Sequence, residues 1–151
     1  MRSTMISPEM IVQEQINRTS NAYDVIYLYG NTNAAAALAA AAEKAMRAKD
    51  PDSVIVHTSG DQFLEDLHLN CCQGTLRRMQ NAYLGDYLIL EDIQCVAGKE
   101  YTQQILYGII NSFLENGKQI LITGTAPPYC IAALAPRIQA QLIGGINIFV
   151  E

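Results

Sequence analysis

Val25-Ile26-Tyr27-Leu28-Tyr29-Gly30-Asn31-Thr32-Asn33-Ala34-Ala35-Ala36-Ala37 is an apolar run, one glycine, three small polar residues and then alanine. The order strand, loop, helix is that in which a phosphate-cradling loop reads G-x-x-x-x-G-K-[ST]. Its first glycine, Gly30, is present; the second glycine, the lysine and the hydroxyl residue fall on Ala35, Ala36 and Ala37. Such a loop holds phosphates with backbone N–H groups, sets its lysine against the β- and γ-phosphates and offers its hydroxyl to Mg²⁺. Alanine brings neither charge nor ligand, and unlike glycine it resists positive φ. One glycine before an alanine run is uninformative alone, so its meaning depends on the segments around it.

Five β-rich runs, 25–29, 54–58, 87–90, 119–123 and 146–150, are nearly continuous in Val, Ile, Leu and Tyr, as strands covered on both faces tend to be. Helical segments separate them. The first covers about residues 8–19, with Ser7 as N-cap and Pro8 at N1. The segment 34–49 carries Lys44, Arg47 and Lys49 toward its negative end and stops at Asp50-Pro51, with its cap among Asn31, Thr32 and Asn33. Segments 61–69 and 75–83 follow, separated by 71–74. Segment 101–115 is closed by Asn116-Gly117, and 131–143 is interrupted near Pro136. Strands alternating with helices predict one α/β domain over 1–151, three-layered, with a five-stranded, mainly parallel sheet. Tyr23, Tyr27, Tyr29, Tyr83 and Tyr87 cluster on the strand segments and are expected in the core.

The bulk properties suit a globular chain: 151 residues, half of them apolar, fit one domain with an ordinary core. A net charge of −5, from 10 basic and 15 acidic residues without a Lys/Arg stripe, lacks the footprint of tight non-specific nucleic-acid binding. No run approaches the ~18 apolar residues of a membrane span, and the N-terminus has no apolar export core, so a cytoplasmic location without membrane association is expected. Cys71, Cys72, Cys95 and Cys130 form no C-x-x-C pair and read as free thiols, with no metal site. His57 and His68 read as structural, with no ligand one helical turn on.

Leu88-Ile89-Leu90-Glu91-Asp92-Ile93-Gln94 is an apolar strand that ends in two acids. In nucleotide hydrolases such a strand end holds Mg²⁺, and the second acid polarises the attacking water; a solvated turn accounts for the same pattern. The residues that follow, Cys95-Val96-Ala97-Gly98-Lys99-Glu100-Tyr101-Thr102-Gln103, narrow the choice. Here the chain resembles the AAA+ core of the DnaA family of bacterial replication initiators, whose members read I-D-D-I-Q-x-L-A-G-K-E-R-T-Q. Asn116-Gly117-Lys118-Gln119-Ile120-Leu121-Ile122-Thr123 with Pro127-Pro128 is similar to the family's G-K-Q-I-V-L-T-S-D-R-P-P. Leu134-Ala135-Pro136-Arg137-Ile138-Gln139-Ala140-Gln141-Leu142 resembles L-x-x-R-L-x-S-R-F. The blocks keep their order across 23–151 and imply a P-loop NTPase-like AAA+ base, a core that related helicase loaders and initiator regulators share.

The resemblance also implies losses. The family's polar sensor falls on Thr125 and its following arginine on Ala126; the inter-subunit arginine finger falls on Gln141, while the earlier arginine is matched by Arg137. Neither the helical lid nor the helix-turn-helix domain is expected within these residues. Glu91 and Asp92 remain as vestiges of the catalytic set. An arginine supplied in trans is worth about 10³–10⁵ in rate in related phosphoryl-transfer systems, and with the loop lysine and hydroxyl also replaced the expectation is a pseudo-ATPase. No ATP or Mg²⁺ cofactor is expected, and Gly30, Asn31, Thr32 and Asn33 form the vestigial cofactor loop.

Lys99, Tyr101 and Thr102 stand where the family's initiators contact single-stranded DNA, with arginine usual at 101, so nucleic-acid binding is expected to be weak or absent. Thr102 and Glu100 read as local helix caps, and Arg77-Arg78 as a solvated helix face. Arg137 and Gln141 mark the expected interface. The implied function is a silent AAA+ core acting as a protein-interaction module in replication initiation or its regulation, partnered by an initiator, a helicase loader, a helicase or itself. Two alternatives stand beside it: a nucleotide sensor using Asn31, Thr32, Asn33, Glu91 and Asp92, or a single-stranded DNA binder using Lys99, Tyr101, Arg77 and Arg78.

Overall fold

The apolar runs become strands β1 (Val25–Gly30), β2 (Ile55–Ser59), β3 (Tyr87–Glu91), β4 (Gln119–Gly124) and β5 (Ile146–Val150) in the computed structural model, which describes residues 7–18 and 24–151. They form one sheet in the order β2-β3-β4-β1-β5, and every pair in it is parallel. The helices are α1 (Pro8–Asn17), α2 (Thr32–Lys49), α3 (Gly60–Gln73), α4 (Leu76–Ala82), α5 (Glu100–Glu115) and α6 (Pro136–Ile143). Because successive strand side chains point to opposite faces, Ile26, Leu28, Ile89, Leu121, Ile148 and Val150 pack with α1 and α2. Tyr27, Leu88, Leu90, Ile120 and Ile122 pack with the remaining helices. Two apolar faces explain the uninterrupted runs and give the expected three layers. The edge strands differ: β2 is only half-buried, and Phe149 of β5 is exposed.

The alanine segment works as a packing surface. Ala35, Ala39, Ala42 and Met46 are buried on one stripe of α2, where methyl groups let the helix lie close to the sheet. Lys49, in its last turn, closes the end of α1 by donating Nζ to the carbonyls of Ile16 (2.7 Å) and Arg18 (3.0 Å). Tyr27, Tyr83 and Tyr87 are in the core, Tyr29 packs against it, and Tyr23 lies outside the described residues.

Four boundaries are corrected. α1 ends at Asn17, with Arg18 extended. α2 begins at Thr32, two residues early, because the Asn31 side chain caps it. α3 continues through Cys71 and Cys72 to Gln73 and stops at Gly74, whose φ of 70° suits the left-handed cap. The helix expected over 131–143 begins only at Pro136: Ala133 sits at φ 61°, outside helical space, and proline belongs in a first turn. No described helix is long and apolar enough to cross a membrane.

Candidate functional site

At the carboxyl end of β1 the chain has closed its own loop. The N–H of Asn31 donates to the carbonyl of Val150 (2.8 Å), Asn31 Oδ1 accepts from the N–H of Ala34 (3.0 Å), and its carbonyl accepts from Ala35 (2.9 Å). Gly30, at φ 121°, lets β5 approach: a Cβ there would stand 2.2 Å from the Val150 carbonyl oxygen. Gly30, Asn31, Thr32 and Asn33 thus lead directly into α2. Ala35 is 3% exposed and belongs to the core, whereas Ala36 and Ala37 face outward. Beside the loop, Tyr29 stacks on Tyr27 (5.9 Å) and meets Phe149 (5.6 Å). Tyr27 donates its hydroxyl to the Ala126 carbonyl at 2.6 Å. Burial, and then the neighbouring Tyr29, push the Tyr27 phenol far above its ordinary value.

The two acids at the end of β3, Glu91 in the strand and Asp92 just after it, have separate surroundings. Glu91 Oε2 lies 2.6 Å from His57 Nε2, and His57 Nδ1 lies 2.8 Å from Glu43 Oε1 on α2. Asp92 instead takes a left-handed turn (φ 58°), where its N–H donates to Thr123 Oγ1 (2.9 Å) and Gln94 Nε2 approaches its carboxylate (3.4 Å). Desolvation pulls the His57 imidazole down, but hydrogen bonds and charge from Glu43 and Glu91 outweigh it, and the net shift is upward. Glu43 is held below its ordinary value, chiefly by the His57 hydrogen bond. His57 and Glu43 are the functional-site residues that sequence reasoning missed. The available signal was parallel register: Ser59 pairs with Glu91, so His57 shares a face with the acid one residue pair back.

A second region forms where α5 and α6 begin. Lys99 is the N-cap residue of α5 and makes no side-chain cap bond; Glu100 stands in the first turn, and Thr102 is buried. The neighbouring Gln103, also buried, does the local polar work. Its Nε2 donates to the carbonyls of Val96 and Ala133 (3.0 Å each), and its Oε1 accepts from the N–H of Ala135 (2.5 Å). This clamp holds the strained 131–135 segment against α5 and leaves a cleft of about 680 Å³ lined by Tyr101, Gln104, Tyr107, Pro136 and Arg137. The Arg137 guanidinium lies 4.3 Å over the Tyr107 ring, and Gln141 Nε2 approaches the Tyr107 carbonyl at 3.4 Å. The fold therefore gathers Tyr101 with Arg137, while Arg77 and Arg78 are exposed on α4.

Cys71, Cys72 and Cys130 are exposed free thiols, and Cys95 is half-buried. Cys72 lies one helical turn beyond His68, with Sγ 3.8 Å from Nε2, correcting the expectation of no ligand there. Among the described residues no group of three His, Cys, Asp or Glu side chains is placed to hold a metal ion.

A sequence profile described as the bacterial DnaA ATPase domain matches residues 8–149. The chromosomal replication initiator protein DnaA of Picosynechococcus sp. (strain ATCC 27264 / PCC 7002 / PR-6) is 34% identical over 97 residues, 64% of this chain and 22% of that protein. The Aquifex aeolicus (strain VF5) protein of the same name is 28% identical over 144 residues, 93% of this chain and 35% of its own length. A solved structure of replication initiator DnaA bound to AMPPCP and single-stranded DNA matches with a TM-score of 0.85 and 28% identity, covering 93% of this chain and 44% of that chain. The chain spans about a third or less of the curated relatives it matches.

Proposed function

Because the chain belongs to the bacterial DnaA ATPase-domain family, with its AAA+ core, we propose that it is a catalytically silent member, a cytoplasmic protein-interaction module in replication initiation or its regulation. The observation that carries this reading is the wound loop. The N–H groups of Asn31, Ala34 and Ala35 are spent inside the chain, and Ala36 and Ala37 stand where a lysine and a metal-binding hydroxyl would be needed. Gln141, at the position of the arginine finger, offers an adjoining subunit no cation. Such a core would dock on an initiator, a helicase loader, a helicase or its own kind and alter assembly without turnover. Isothermal titration with Mg-ATP is expected to give no saturable heat at micromolar concentration; saturable heat there would favour a nucleotide sensor. Retention of purified initiator, loader, helicase or a second copy of the chain on the immobilised chain is the positive test, and failure of all four removes the interaction role.

One observation favours a second reading, weak single-stranded DNA binding. The cleft between α5 and α6 sets the half-exposed Tyr101 ring near Arg137, a surface on which a base can stack. A relative of 28% identity has been solved with single-stranded DNA. Oligonucleotide binding that falls steeply with salt supports it; no binding at low salt eliminates it.

A further inference from the structure

We propose that His57 is an internal cation: seated between Glu43 and Glu91, it fastens α2 to the sheet and neutralises the acid at the end of β3, so that α2 loosens on the sheet when the imidazole loses its proton. This goes beyond the silent-core reading and stands apart from it, since the bridge needs no statement about nucleotide.

The argument rests on donors and acceptors. Both ring nitrogens of His57 lie within hydrogen-bond reach of carboxylate oxygens, Nδ1 at 2.8 Å from Glu43 and Nε2 at 2.6 Å from Glu91. A neutral imidazole has one N–H and one acceptor nitrogen, and an ionised carboxylate only accepts. With both carboxylates ionised, the two contacts are satisfied together only by the imidazolium; the neutral ring would press a lone pair against one of them. Each of the three side chains is about a quarter exposed (26%, 26% and 23%), so water screens the cluster only in part.

The charges facing His57 come from two elements. α2 supplies Glu43 and, behind it, Arg47, whose Nη2 lies 3.1 Å from Glu43 Oε2; β3 supplies Glu91. Two acids and two cations balance when His57 is charged, and one negative charge is left over when it is not. The bridge also ties together parts of the chain separated by 14 and 34 residues, across α2, β2 and β3.

The pH dependence has a definite sign. His57 is raised in the folded chain, so its contribution is complete below the ordinary histidine value of about 6.5 and is lost as pH rises through the higher folded value. Glu43 is lowered, so its contribution is complete above 4.5 and is lost as pH falls through its lower folded value. The bridge is intact in the window between.

Nitrogen-detected NMR titration of the unmodified chain tests this directly, with His57 assigned through the backbone. The expected result is a midpoint above about 6.5, with both ring nitrogens protonated below it, and a lower midpoint in Glu91→Gln and in Glu43→Gln. A midpoint at or below the ordinary value, or a single neutral tautomer in the acid limb, overturns the proposal. As a second measurement, Tm between about pH 6 and pH 9 should fall by more in the unmodified chain than in His57→Gln. Parallel profiles overturn the proposal as well. Neither readout involves nucleotide, so its failure leaves the silent-core reading where Mg-ATP titration puts it.

Discussion

At the junction of β1 and α2 the loop is closed by a cap three residues from its partner, whereas at the α5–α6 cleft a side chain reaches across 30 residues to do that work. Asn31 donates to Val150, accepts from Ala34 and Ala35, and the helix starts at once. Around the cleft, Gln103 reaches from α5 to bind Val96, Ala133 and Ala135, and the walls keep rings and a guanidinium in contact with solvent. The two ends of the core are thus built differently. A loop that winds into its helix uses the N–H groups of Asn31, Ala34 and Ala35 within the chain, while a loop clamped from the side leaves a shaped space open.

The largest effect should come from the clamp. Gln103→Leu takes the acceptor from the Ala135 N–H and one of two donors from each of the Val96 and Ala133 carbonyls, and is expected to cost about 3 kcal/mol in urea unfolding; a loss under about 1 kcal/mol would mean that something else holds the cleft. Next is Ala39→Leu, at a residue with no exposed surface under α2. Overpacking there should destabilise by about 2 kcal/mol, and a neutral result would show slack between helix and sheet. Asn31→Ala removes the cap that closes the loop and should cost about 1 kcal/mol, read from thermal unfolding.

The smallest effect is expected from the double change Ala36→Lys with Ala37→Thr. Both positions are exposed, so stability should stay within about 0.5 kcal/mol. Mg-ATP should still give no saturable heat, because the neighbouring N–H groups remain inside the chain. Binding restored by these two side chains alone would break the contrast between the two ends.

Legibility followed locality. The Val/Ile/Leu/Tyr runs became strands because both faces of a central strand are buried, and the capping signals Ser7-Pro8 and Asn31 operate within four residues of the groups they satisfy. Pro136 was visible as an interruption, but the outcome depended on Ala133 being held at positive φ by Gln103, 30 residues away. Thr102 looked like a cap and is instead a buried wall of the core, a difference set by which face α5 turns inward. His57 looked inert because both its partners lie on other elements. In the same way, Arg137 and Gln141 were marked for an interface, and the fold first engages them with Tyr107 of their own chain.

From its residues alone this chain carried its elements, their alternation and the chemistry missing from its loop, since apolar periodicity, caps and absent side chains are properties of neighbouring positions. Only folding decided which N–H groups remain for a ligand, which helices frame an open cleft and which charge meets Glu91. Those are matters of distance between segments far apart in the chain, where a shift of an ångström or two separates a hydrogen bond from none.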